Sequence, residues 1–235
     1  MTSKGTAATY TGTVNETGLG IAVIPIRWHT VRVGFFERNR EEVVRRGFDP
    51  SRLPPGQYLT DRYPVLHVGD VPEYGPGEWS LTIGGDVDAP YVMSYEELRS
   101  MPATTVTVDI HCVTKWSKFD MEWTGVRVRD LLARAGVRPS ATHVLEHAEF
   151  GYTTNVPLAD VMRDDSLVAY AYDGEDLDPI HGGPVRMVLP QLYFWKSAKW
   201  LRGIELLQHD VAGFWERNGY HMYGDPFREQ RFTDD

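Results

Sequence analysis

The sequence predicts an α+β fold with mixed sheets, on three observations. Alternating or β-branched segments recur along the chain, but no regular β-α-β order connects them. The helical segments between them are short and capped rather than long and periodic. A 42% hydrophobic content with 24% charged residues over 235 residues suits a soluble globular protein with a large core.

Met1 to Gly20 is rich in Thr, Gly and Ala and reads as loose or extended, and the β-branched Ile21–Val33 as one or two strands. Phe36, Val43 and Val44 among charges make Phe35–Phe48 a short amphipathic helix ended by Gly47, and Pro50 to Pro55 a connecting arm. Val65–Val68 is a short apolar piece carrying His67, and Trp79–Gly84 alternates like a strand closed by Gly84-Gly85. Ser94 with Glu97 forms a capping box for a helix over Tyr95–Ser100, and Pro102 stops it. Thr104–Ile110 is a β-branched run expected to be a buried central strand. Val128–Ala135 reads as a helix with Leu131 and Leu132 inward and Gly136 at its C-cap. Strands follow at Thr142–Glu146, Leu167–Tyr172, Val185–Leu189 and Leu201–Leu207, with a helical turn at Leu158–Met162 and a tight turn at Asp173-Gly174. Three regions are expected: an N-terminal arm over 1–60, a core over 61–210, and a tail over 211–235 whose aromatic residues Phe214, Trp215, Tyr220, Tyr223 and Phe227 cover the core.

The net charge of −9 argues against nucleic-acid binding. Between Arg27 and Arg62, eight arginines against five acids leave +3, so the remainder carries −12; a solvated helix face or a docking surface explains the basic stretch. Ile21–Ile26 is too short for a signal peptide or membrane span, and Arg45-Arg46 lies too far inside to be a twin-arginine signal. With a single cysteine, Cys112, the expected location is the cytoplasm.

Cys112 follows His111 at the end of the expected strand, with Lys115 and Trp116 just after it. Such a thiol is either a small core hydrophobe or, with cationic neighbours lowering its pKa, a soft metal ligand or nucleophile. The polar loop Tyr152–Pro157 after Glu146-His147 has the composition of a functional loop or of plain turn chemistry. The segment His181-Gly182-Gly183-Pro184-Val185-Arg186, followed by Lys196-Ser197-Ala198-Lys199, places three cations and a hydroxyl where they could converge on an anion such as a phosphate. No zinc, dinucleotide or P-loop motif is present.

In this order the pieces resemble the molybdopterin-binding catalytic domain of the sulfite oxidase family, closest to its small, heme-free bacterial members. The similarity runs from about Tyr63 to Leu207 and rests on the cysteine loop, the Ala-Tyr pair and Gly turn after Leu167, His-Gly-x-Pro-Val-Arg at 181–186, and Lys199-Trp200-Leu201. It implies a sulfite oxidase-type mixed-sheet fold and one molybdenum held by a single molybdopterin, with no heme. It further implies Cys112 as the metal's thiolate ligand and Tyr152 as the active-site tyrosine. His67, His147, His181, Arg186, Ser197, Ala198 and Lys199 would be cofactor contacts, the last three at the pterin phosphate.

The departures matter equally. The position of the family's sulfite-binding arginine, two before His67, is Val65, and the family's Asn-Arg-Arg after the cysteine is Lys115-Trp116-Ser117. Losing those cations from a pocket for a dianion argues against sulfite and makes Lys115 and Trp116 the substrate-side residues. Trp116-Ser117 is closer to the protein-methionine-sulfoxide reductase branch, whose export signal is not seen here. The implied function is oxygen-atom transfer with a small sulfoxide, N-oxide or similar substrate. Electrons would be exchanged with a separate flavoprotein or cytochrome, without membrane insertion. A non-catalytic molybdopterin storage module and a Cys/His hydrolase are the competing readings.

Overall fold

A computed structural model describes residues 34–67, 69–74 and 77–235. The extended stretch expected at Met1–Gly20 and the strands expected within Ile21–Val33 lie outside the described residues. The first described element is helix α1 (Phe35–Arg45), with Gly47 just beyond it in the left-handed region at φ 82°. A single turn over Pro50–Arg52 leads to the two-residue strand β1 (Tyr58–Leu59). Strands β2 (Ser80–Gly85) and β3 (Tyr91–Ser94) form a hairpin, and helix α2 (Tyr95–Ser100) starts at the expected capping box. Its two halves are Glu97 N–H to Ser94 Oγ at 3.2 Å and Ser94 N–H to Glu97 Oε2 at 2.8 Å.

Strand β4 (Thr104–His111) departs from expectation. It pairs with β5 (Trp116–Arg127) alone, Thr105 and Thr107 are exposed, and only Ile110 and His111 are fully buried. The β-branched run therefore marks a strand, but not a central one. The centre of the sheet is β5, which sequence reading left unassigned although Phe119, Met121 and Trp123 alternate with Asp120 and Glu122. Helix α3 (Val128–Ala135) follows, closed by Gly136 at φ 71°.

Strand β6 (His143–Ala148) pairs with β7 (Thr153–Pro157), so the expected polar loop is largely a strand, with Thr154, Asn155 and Val156 buried. Helix α4 (Leu158–Val161), strands β8 (Leu167–Tyr172), β9 (Glu175–Asp176), β10 (Arg186–Val188) and β11 (Leu201–Leu207), and helix α5 (Phe214–Arg217) complete the order. One sheet runs β1-β5-β8-β10, with β4 on β5 and β9 on β8; the other runs β3-β2-β11-β6-β7. Among the described residues, only β1·β5 and β2·β11 are parallel pairs. Both sheets contribute to one core, where Val126 and Val168 meet Leu81, Ile83, Val144 and Ile204 over Leu131 and Leu132 of α3. A second cluster holds Ile110, Cys112, Trp116, Met121, Trp123 and Phe194.

Strands β5 and β8 approach closely at Gly125. A Cβ on Gly125 of β5 would lie 2.3 Å from the Val168 carbonyl oxygen and 2.6 Å from Ala169 Cα. Gly125→Ala is therefore expected to cost about 1–3 kcal/mol, as overpacking in a tight interior does, read as a lower denaturant midpoint at unchanged m-value.

Candidate active site

The loop joining β4 to β5 presents Cys112. Val113, Thr114 and Lys115 turn the chain, with Lys115 at φ 76°, and the turn closes through Cys112 N–H to Trp116 O and Lys115 N–H to Cys112 O, each 2.9 Å. That left-handed position leaves the Lys115 side chain exposed, whereas Trp116 is buried against the cavity. From behind, the buried Gln57 donates its amide to Cys112 O at 3.1 Å. Cys112 is 7% exposed. Burial pushes its thiol pKa up, against the Thr114 hydroxyl at 3.1 Å from Sγ and the Thr114 and Val113 amides, which favour the thiolate. The expected help from cationic neighbours does not arise from His111: burial holds its pKa down at about 4, and its Nδ1 pairs with Ser117 Oγ at 2.8 Å. No histidine among the described residues hydrogen-bonds Cys112, so the nucleophile pair of a Cys/His hydrolase is not formed.

Cys112 opens on a cavity of about 410 Å³. His67, Cys112, Trp116, Tyr152, Arg186, Ser197, Ala198 and Lys199 all line it. The remaining walls are largely aromatic and include Tyr63, Phe194, Trp195, Trp200, Trp215 and Tyr220. Tyr152 enters at the start of β7, its hydroxyl donating to Trp195 O at 2.6 Å; burial pushes its pKa well up.

Arg186 is 1% exposed. Its guanidinium donates to the carbonyls of Met187 (3.2 Å), His181 (2.7 Å) and Ser197 (2.9 Å) and to the Tyr63 hydroxyl (2.9 Å), and lies 4.0 Å from the Phe194 ring centroid. No carboxylate among the described residues pairs with it. Glu146, whose charge would favour that of Arg186, is fully buried; its Oε2 accepts the Ala198 N–H at 3.0 Å while Oε1 has no partner, and burial raises its pKa well above the usual range. Lys199 donates to Ile180 O at 2.8 Å, and burial together with the Arg186 charge pulls its pKa down to about 7. The cavity thus holds two cations without paired anions, next to a soft sulfur donor. That donor set fits a soft metal bound through sulfur and a phosphate-bearing cofactor.

His181, Lys115, His147 and Lys196 are not part of the lining. His181 stacks on Tyr63 at 3.7 Å and 7° behind it, with Nδ1 buried and unpartnered. His147 lies on β6 opposite Gly203, half-exposed, with Nε2 2.8 Å from Glu205 Oε2. Lys196, considered with Arg186 and Lys199 for anion binding, turns the other way. Its ammonium forms a fully buried ion pair with Glu216 at 2.6 Å and donates to Asn155 O, Asn155 Oδ1 and Met222 O. Glu216 also accepts from Thr154 Oγ1 (3.1 Å) and from the Trp195 indole (2.8 Å). Sequence reading did not identify Tyr63 or the aromatic walls as site residues. Their only signal was the density of aromatics in the tail and around 193–200.

The family model described as the oxidoreductase molybdopterin binding domain matches residues 68–215. The chain is 52% identical over 191 residues to the uncharacterized oxidoreductase YuiH of Bacillus subtilis, covering 81% of this chain and 96% of that one. It is 28% identical over 207 residues to the protein-methionine-sulfoxide reductase catalytic subunit MsrP of Gluconobacter oxydans, covering 72% and 66% respectively. Against the mitochondrial sulfite oxidase of Rattus norvegicus it is 27% identical, covering 71% of this chain and 37% of that protein. Among solved structures, the sulfane dehydrogenase SoxCD of Paracoccus pantotrophus superposes with a TM-score of 0.58 and 26% identity, over 66% of this chain and 44% of that one. These matches accord with the resemblance read from the motifs and with a sulfite oxidase-type mixed-sheet fold. No helix among the described residues is long and apolar enough to cross a membrane.

The Lys196–Glu216 pair is open to direct measurement. Glu216→Ala leaves a buried ammonium without its counter-charge and should lower unfolding free energy by about 3–5 kcal/mol. Replacing both partners with apolar residues of similar volume should cost clearly less, and equal losses in the two variants would show that the charge pairing is not what matters.

Proposed function

We propose that this chain, which belongs to the molybdopterin-binding oxidoreductases and is an enzyme of the sulfite oxidase family, moves an oxygen atom to or from a small neutral substrate. The observation that carries this is the pairing, in one cavity, of the lone thiol Cys112 with the unpaired cations Arg186 and Lys199. Bound there, molybdenum with one molybdopterin would supply two-electron redox chemistry. Cys112 would ligate the metal, with the Thr114 hydroxyl and the loop amides steadying the thiolate. Arg186, Ser197, Ala198 and Lys199 would hold the phosphate end of the pterin, and His67 would lie against the pterin. His181 would act through its stack on Tyr63, which fixes the ring that Arg186 bonds.

On the substrate side, Tyr152 carries a hydroxyl kept protonated by burial and directed at Trp195 O. Trp116 stands where a cation would greet a dianion, and Val65 does not reach the wall, which supports a substrate other than sulfite. Electrons would pass to or from a separate flavoprotein or cytochrome. A reduced cytoplasmic setting would keep the single thiol available.

Protein made in a cofactor-competent host should contain close to one molybdenum per chain. Cys112→Ser should retain the pterin, seen by its fluorescence after oxidation, yet lose at least a hundredfold in turnover. Wild type free of molybdenum under those conditions would falsify the reading.

Lys199 sets a pH dependence. Its depressed folded pKa of about 7 means that an anion finds the ammonium already charged below pH 7 but must recruit a proton above it. Sulfate, whose charge is constant in this range, should bind cofactor-free protein progressively more weakly from pH 6.5 to 8.5, by up to about tenfold per unit above 7. Calorimetry on Lys199→Met should show weaker binding without that slope. By the same linkage, the cofactor-free fold should gain stability as pH rises above about 7, where the unfolded chain still binds the lysine proton.

A further inference from the structure

The aromatic tail is the part of the site that the chemistry above leaves unused. Trp215 is the last residue of the family match and Tyr220 lies beyond it, yet both line the cavity. Their rings stack at 4.9 Å and 18°, and Tyr220 meets Trp195 edge-on at 5.0 Å and 77°. Trp195 lines the same cavity, so the three rings form an aromatic corner.

The corner is fixed before any ligand arrives. Glu216, next to Trp215, accepts the Trp195 indole and the Lys196 ammonium, and Tyr220 N–H bonds Trp215 O at 3.0 Å. Asn155 brackets the first part of the tail, donating to Asp210 Oδ1 at 2.7 Å and Met222 O at 3.2 Å. Gly213 lies so close to β7 that a Cβ there would be 2.5 Å from Thr154 Cα. Walls held this way bind without an ordering cost.

Charge restricts what can occupy the corner. Lys196 and Glu216 behind it cancel, and Glu149, the acidic group of the lining, is tied to Arg202 at 3.2 Å. An anion would leave water without a free partner once Arg186 and Lys199 hold the cofactor phosphate. Flat, neutral groups are favoured, because aromatic rings pair in offset-stacked or edge-on geometry.

We propose that Trp195, Trp215 and Tyr220 form the specificity element of the site and select neutral oxygen donors bearing an aromatic ring, either an aryl sulfoxide or a heteroaromatic N-oxide. This rests on the oxygen-transfer reading above. Reduction of such a donor consumes two electrons from a reduced flavoprotein or cytochrome and two protons. It breaks the S–O or N–O bond and releases the sulfide or free heteroarene with one water.

The test uses molybdenum-loaded wild type, Trp215→Leu, Trp215→Phe and Tyr220→Leu, with reduced methyl viologen as electron source. Wild type should favour methyl phenyl sulfoxide over dimethyl sulfoxide in kcat/KM by at least tenfold, about 1.4 kcal/mol, carried mainly by KM. That ratio should collapse in Trp215→Leu, fall in Tyr220→Leu and largely return in Trp215→Phe. Unreactive methyl phenyl sulfone should quench tryptophan fluorescence in wild type at concentrations where dimethyl sulfone does not. A ratio unchanged in both leucine variants, a wild type indifferent to the ring, or a charged donor preferred over both would overturn the proposal. Failure of the oxygen-transfer reading would look different: loaded wild type would bind molybdenum and reduce no donor, with or without a ring, and that result would sink both. If Trp215→Leu fails to fold, Tyr220→Leu and the fluorescence titration carry the test.

Discussion

The site depends on a buried guanidinium that no carboxylate among the described residues pairs with. Arg186 spends its donors on three carbonyls and one phenol, which satisfies its hydrogen bonds but not its charge. The nearby carboxyl, Glu146, makes no ion pair with Arg186, and burial raises its pKa well above the usual range. Three of the Arg186 bonds also fix pieces of the cavity: the His181 turn, the Ser197 turn and the Tyr63 ring. A bound anion would complete the set, so binding and local order are coupled at this residue. Lys199 shows the same tension in milder form, since the charge of Arg186 helps to pull its pKa down.

Much of this was legible in the sequence, for physical reasons that differ by element. Helix α2 was readable because a capping box is a local hydrogen-bond pattern, and α3 because Gly136 supplies a left-handed C-cap. Strand β5 alternates as clearly as any, but its charged outer residues and the Cys112 loop before it masked the pattern. The opposite error occurred at β7, where Thr153, Thr154 and Asn155 have the composition of a turn. The Thr154 hydroxyl and the Asn155 amide are buried because the tail supplies partners that no local reading could show. The family's sequence order brought together eight of the eleven expected site residues. His147 lies outside the cavity because a strand position one residue from Glu146 faces the other side of the sheet.

Lys196 illustrates the limit most sharply. In sequence it sits three residues from Lys199 and ten from Arg186 and invites the same role. In the fold its ammonium points across β7 to Glu216, and the two charges bind the tail to the core. Nothing near Lys196 in sequence predicts a partner twenty residues later. A buried pair of this kind is weak as a source of stability but strong as a source of specificity, because a misplaced tail would strand both charges. Trp215 and Tyr220 therefore line the cavity in one defined arrangement.

The cavity that results is divided by charge. Its unpaired cations, Arg186 and Lys199, lie with Ser197 and Ala198 on the stretch that the resemblance gives to the cofactor's phosphate. Its other walls are largely rings, Trp116 among them, with Lys115 turned to solvent by its own backbone. Binding energy for an anion is then concentrated where the cofactor would sit and is withheld from the substrate. A dianion entering on the aromatic side would lose its hydration against indole and phenol faces, a cost that dispersion and stacking do not repay. A neutral oxygen donor pays no such penalty, and its apolar body gains from every ring it covers.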